Sequence, residues 1–244
     1  MHRFLTFCVV VAALAAGACS NDDTTTTPTT VTPTASISPS TTVYQIGQTQ
    51  TFTLTATTTP TNVIWTSSNT DVLTIDSEGN ATAVGVGTAT ITSNADSNLS
   101  ATLAVQVVPI YQGNWAGTAR VLACTDVAGF LSAGYCARNV GAVNTVTLSL
   151  TQSGGSVSGS VTKSESANLL NGSIGGTIGA GGDVTFTGTL AGLANGSNLQ
   201  LTVITWNSLA TGATMTGTWA GNITSPQILG IATLQWSLTM QKAN

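Results

Sequence analysis

The chain has 244 residues, of which only 6% are charged, and a formal net charge of -4. Its length suits about two domains. Ordinary soluble proteins are about one-quarter charged, so solubility here must rest on Thr, Ser, Asn, Gln and Gly. With Arg3 set aside, the basic residues are Arg120, Arg138, Lys163 and Lys242, too few for the basic patch that nucleic acid or an anionic membrane surface requires.

The chain starts Met1-His2-Arg3, runs apolar from Phe4 to Ala16, and reaches a cysteine through Leu14-Ala15-Ala16-Gly17-Ala18-Cys19. That is the layout of a secretion signal. It resembles a bacterial lipoprotein signal, with Ala16 standing where that family usually has Leu. The resemblance implies cleavage before Cys19 and a diacylglycerol on its sulfur. The alternative is an ordinary signal peptide with a chance cysteine. Residues 1–18 are thus read as leader, and a membrane is the expected partner through the lipid on Cys19. Ser20 after the cysteine resembles the outer-membrane class, which implies the bacterial cell envelope, facing periplasm or surface. Beyond Ala16 no apolar run reaches the roughly 18 residues of a spanning helix.

Residues 19–34 are rich in Thr and Pro, including Thr24-Thr25-Thr26-Thr27-Pro28. They have almost nothing to bury and read as an extended spacer.

From residue 35 to 108 short alternating segments appear. Phe52, Leu54 and Ala56 share one face, as do Val63 with Trp65, Leu73 with Ile75, and Ala101 through Val107. Turn signals such as Asp76-Ser77-Glu78-Gly79-Asn80 separate them. About seven such strands predict an immunoglobulin-like sandwich with Trp65 in its core. The stretches Ile64-Trp65-Thr66-Ser67-Ser68-Asn69 and Gly79-Asn80-Ala81-Thr82-Ala83-Val84-Gly85-Val86-Gly87 resemble the bacterial Ig-like domain of group 2. That resemblance implies a spacer or adhesion module on a surface protein and carries no catalytic residues.

Residues 109–244 are again all-β, but Gly-rich and longer in their strands. Val146, Leu148 and Leu150 share a face, as do Val157, Gly159 and Val161, then Val184, Phe186, Gly188 and Leu190, and finally Ala232 through Met240. Hairpin breaks lie at Ser153-Gly154-Gly155, Gly181-Gly182-Asp183, Ala194-Asn195-Gly196 and Thr211-Gly212. About eight strands with short turns predict an up-and-down barrel, which leaves no exposed edge. Gly113-Asn114-Trp115 resembles the Gly-x-Trp start of lipocalin-like barrels, and the Gly-rich meander with late tryptophans resembles avidin-type barrels. Alternation by twos also fits a transmembrane barrel, but there are no aromatic belts and few charges for a polar lumen.

Three groups of residues are candidate sites. Cys124 and Cys136 are an even pair in an exported chain and are expected to form a disulfide; a redox-active pair is the alternative. Trp115, Phe186, Trp206, Trp219 and Trp236 are the candidate lining of a cavity for a small apolar ligand, or else they fill the barrel themselves. Asp126, Glu165 and Asp183 are the acidic residues of the second domain and read as solvated loop residues. They do not supply the facing pair that glycoside hydrolysis needs. The only histidine is His2, so zinc sites and Ser-His or Cys-His mechanisms lack their parts. No enzyme activity, metal or cofactor is expected. The expected function is a binding or adhesion module of the cell envelope, recognising a glycan or protein. A carrier of a small apolar ligand and a structural spacer are the alternatives.

Overall fold

The structure is a computed structural model and describes residues 34–95, 99–127, 134–165, 168–194 and 196–243. The leader, Cys19 and the Thr/Pro-rich linker lie outside the described residues.

The first β region contains β1 (Ala35–Ser38), β2 (Val43–Gln45), β3 (Thr49–Thr51), β4 (Thr53–Ala56), β5 (Ile64–Ser67), β6 (Leu73–Ile75), β7 (Asn80–Ala83), β8 (Gly87–Ala95) and β9 (Leu99–Val108). One sheet has the order β2-β9-β8-β5, a second β3-β7-β6, and β1 pairs with β4. More strands form than the alternation predicts, because the chain changes sheets in mid-stretch. Thr49–Thr51 pairs with β7 while Thr53–Ala56 pairs with β1. Phe52 sits at the break, buried, its N–H donating to Gly79 O at 2.8 Å. Trp65 fills the core between the sheets with Phe52, Leu73, Ile91 and Val107, as expected from the face it shares with Val63.

The turn after β6 closes over that indole. Asp76 Oδ1 accepts from the N–H groups of Glu78 (2.9 Å) and Asn80 (2.8 Å), an Asx turn. Gly79 has φ +85°, and a Cβ there would lie 3.2 Å from the Trp65 ring and on the carbonyl of Phe52. Only glycine meets both conditions.

The second region is a closed antiparallel barrel of β10 (Gly113–Asp126), β11 (Val143–Ser153), β12 (Ser156–Glu165), β13 (Asn168–Ile178), β14 (Val184–Ala194), β15 (Ser197–Thr211), β16 (Thr214–Ser225) and β17 (Ile228–Lys242). Each strand pairs with its neighbours in sequence, and β10 pairs with β17 to close the ring. A five-residue helix, α1 (Tyr135–Asn139), lies in the connection from β10 to β11.

Over most of the barrel the alternation has one sense. Inward positions carry the apolar residues, buried almost completely: Val146, Leu148, Leu150, Val157, Val161, Leu190, Leu234 and Leu238 among them. Outward positions are hydroxyl-rich, with Thr145, Thr147, Thr151, Thr185, Thr187, Thr189, Thr216, Thr218 and Thr239 all exposed or facing solvent. A barrel in lipid needs the opposite arrangement, an apolar outer band. This outer wall is built for water.

Glycines share the inward face with the large residues. A Cβ at Gly117, Gly159, Gly172 or Gly217 would fall on the backbone carbonyl of Thr239, Ser149, Thr189 or Asn207 respectively. Adjacent strands therefore approach and coil at these points, as a small barrel requires.

A tryptophan ladder, a capped end and an apolar cleft

The inward alternation of three consecutive strands places three indoles at one level. Trp206 is the register partner of Trp219, and Trp219 that of Trp236. Trp206 and Trp219 stack at 4.5 Å between centroids, 6° from parallel. Trp219 and Trp236 lie 4.8 Å apart at 38°. Phe186 meets Trp206 edge-on at 5.3 Å. All four are fully buried. Their contact distances are those of favourable aromatic pairs, so at this level the rings occupy the space beside the inward glycines. Trp115 does not join them. It pairs with Lys242, six residues beyond Trp236 on β17, or about 20 Å at strand rise.

The indole donors divide into two kinds. Trp115 Nε1 donates to Tyr111 O (2.7 Å) and Trp206 Nε1 to Ser208 Oγ (2.9 Å). Trp219 Nε1 and Trp236 Nε1 are buried and have no hydrogen-bond partner among the described residues. Beside them sits Lys163, fully buried, with Nζ 5.3 Å from the centroid of the Trp236 ring and donating to Ser164 O at 3.1 Å. A buried ammonium demands compensation, and the indole face provides part of it. Nothing in the motifs points to Lys163 as a core residue. The signal was there: it continues by twos the inward series Val157, Gly159, Val161.

One end of the barrel is capped by the segment that joins the two β regions. Tyr111 is wholly buried, and its hydroxyl lies 2.7 Å from Gly182 O and 2.9 Å from Ser208 O, accepting from Ala210 N–H at 3.2 Å. Burial pushes its pKa up to about 12, and the Ala210 N–H opposes that in part. Gln152 holds the same segment, accepting from Tyr111 N–H (2.7 Å) and donating to Pro109 O (3.0 Å). The Ig-like region meets this end directly. Gln106 Nε2 donates to Gly179 O (2.7 Å).

Beside these contacts lies a cleft of about 520 Å³. Ile46 and Val86 line it from the sandwich, Pro109 and Ile110 from the junction, and Leu209 and Ala210 from β15. The turn Thr211-Gly212-Ala213 and Lys242 complete it. No motif in the sequence announces this site, because its walls come from separate places in the chain.

The opposite end carries the cysteines. Cys124 and Cys136 form a disulfide with Cα atoms 5.1 Å apart, tying β10 to α1. The acidic residues separate. Asp126 is exposed at this end, in register with Ala232, and Asp183 is exposed in the β13–β14 turn at the capped end. Glu165 pairs in register with Asn168 at the cysteine end. Around this rim, apolar side chains interrupt the hydroxyl wall: Leu122, Val127, Val143, Leu169 and Leu193 are each more than half exposed, and Leu229 is 96% exposed.

Among the described residues no three His, Cys, Asp or Glu side chains gather where a metal ion could bind, and no helix is long and apolar enough to cross a membrane.

Most of the sandwich, with Trp65 and the Asp76–Asn80 turn, falls within one recognised sequence pattern. Residues 27–105 match the bacterial Ig-like domain (group 2). Bacterial Ig-like domains of group 2 occur in surface and envelope proteins and often serve as adhesion-type modules. The match ends before the barrel, which is therefore described by its own structure. No curated protein matches the chain.

Proposed function

We propose that this protein is a lipid-anchored module of the bacterial cell envelope, held by a diacylglycerol on Cys19, with residues 35–108 as an Ig-like stem and 109–244 as a barrel that binds an envelope or extracellular partner. The observation that carries the binding role is the apolar rim at the cysteine end. A barrel wall made of Thr and Ser has no folding reason to expose Leu169 and Leu193 on the adjacent strands β13 and β14, and exposed apolar side chains on neighbouring strands are a feature of interaction sites. The group 2 Ig-like match supports the stem, and the segment after Cys19 supports the tether. The disulfide is in keeping with an exported chain.

Detergent phase separation tests the anchor. Wild-type protein should partition into the detergent phase and a Cys19→Ala variant into the aqueous phase; aqueous wild-type protein would refute lipidation. Arrays of glycans and of purified envelope proteins test binding. A double Leu169→Glu, Leu193→Glu variant that folds normally should lose the partner. Equal binding by that variant would move the site elsewhere, and no binding by either would leave a structural spacer.

A further inference from the structure

We propose that the cleft between the Ig-like sandwich and the barrel binds one long-chain carboxylate, with its hydrocarbon along Ile46, Val86, Ile110 and Leu209 and its head group at Lys242. This site is separate from the apolar rim and does not depend on the function proposed for it. The volume, about 520 Å³, lies within the range of small-molecule sites. Its walls are apolar from both modules, yet Ile46 and Val86 each remain 37% exposed and Leu209 42%. Such surface gains from being covered. A Cβ at Gly212 would meet nothing within 4 Å, so there is open space beside this turn.

The polar groups decide the class of ligand. Among the described residues, Lys242 is the only charged residue lining the cleft, and Thr211 the only one with a neutral polar side chain. The stem of Lys242 runs past Gly113, with Nζ 5.7 Å from the centroid of the Trp115 ring. A sugar would leave its hydroxyls unpaired against apolar walls. A polyanion would meet a single cation, and a cationic amphiphile would be repelled by it. A hydrocarbon chain with one anionic head satisfies both features. The walls are fixed in advance by the Tyr111 and Gln152 hydrogen bonds and by Gln106 on Gly179, so little ordering cost falls on binding.

The test uses the full chain and a fluorescent sixteen-carbon carboxylate, displaced by palmitate, hexadecanol or hexadecyltrimethylammonium. One site per chain is expected, with palmitate binding about five- to tenfold more tightly than hexadecanol, the value of one partly exposed ion pair. Lys242→Gln should bring palmitate down to the hexadecanol level and leave hexadecanol unchanged. Leu209→Glu and Ile46→Glu should each weaken both ligands, and using one residue from each wall guards against a variant that misfolds. Absence of binding, equal affinity for palmitate and hexadecanol, or binding that survives both wall variants would overturn the proposal. So would recruitment to phosphatidylglycerol vesicles without uptake of monomeric palmitate.

Discussion

Trp206 and Trp219 face each other across β15 and β16 as direct register partners, 4.5 Å apart and 6° from parallel. Two indoles held this way act as one packing unit, and Trp236 extends it to the next strand. Truncating the central member removes an indole contact from each neighbour and leaves Trp206 only Phe186 as an aromatic partner. Trp219→Ala should destabilise the barrel by about 3–5 kcal/mol, measured by denaturant unfolding. It should also remove the exciton signal that stacked indoles give in circular dichroism. A variant with unchanged stability would mean that the ladder carries no packing energy.

Tyr111 gives the barrel a dependence on alkaline pH. Its folded pKa is raised from 10.0 to about 12, chiefly by burial. A group whose pKa rises on folding contributes its stability below its unfolded pKa and loses it as pH passes the folded value. Wild-type stability should therefore fall between about pH 10 and pH 12 relative to Tyr111→Phe, which has no proton to lose. The Phe variant should be less stable at neutral pH, since it abandons the carbonyls of Gly182 and Ser208. Parallel slopes for the two proteins would show that the hydroxyl ionises without penalty.

The inward glycines make a separate prediction. A methyl at Gly172 would strike Thr189 O, which is backbone and has no rotamer to yield. Gly172→Ala should cost about 1–3 kcal/mol as overpacking. Gly155, where a Cβ meets nothing within 4 Å, should accept Ala with little change. Thermal unfolding of the pair distinguishes steric need from general intolerance of substitution.

Reducing the Cys124–Cys136 bond releases a loop with a sequence separation of 12. In the loop-entropy account this costs about 3 kcal/mol. Reduction should lower the melting temperature of the barrel and leave the unfolding of the Ig-like region where it was. Two free thiols in unfolded, non-reduced protein would show that the bond does not form.

Much of the fold is readable from alternation. The barrel strands announce themselves because one face is apolar and the other is Thr or Ser, and the series Val146, Leu148, Leu150 points inward as its spacing says. In the sandwich, the stretch around Phe52 reads as one strand but serves two sheets, because hydropathy does not record which neighbour a backbone pairs with. The candidate aromatic residues are only partly brought together. Phe186, Trp206, Trp219 and Trp236 meet through the register of adjacent strands, whereas Trp115 belongs to the capped end. Lys163 looks like a solvated charge until the alternation is carried two residues further. The cleft is invisible locally, since Ile46, Val86 and Leu209 become neighbours only when one module seats against the other.

The ring closes through its two most distant strands, Gly113–Asp126 and Ile228–Lys242. Every other pairing in the barrel is available soon after its second strand emerges during synthesis. Until the final fifteen-residue strand arrives, β10 and β16 both present open edges, and the core lacks Leu234, Trp236, Leu238 and Met240. Open edges of this kind recruit other strands. The barrel is thus an all-or-nothing assembly whose last segment decides the outcome. A chain cut short by even one strand would become an adhesive intermediate rather than a slightly smaller protein, and a synthetic peptide of the last strand's sequence would be its natural trap.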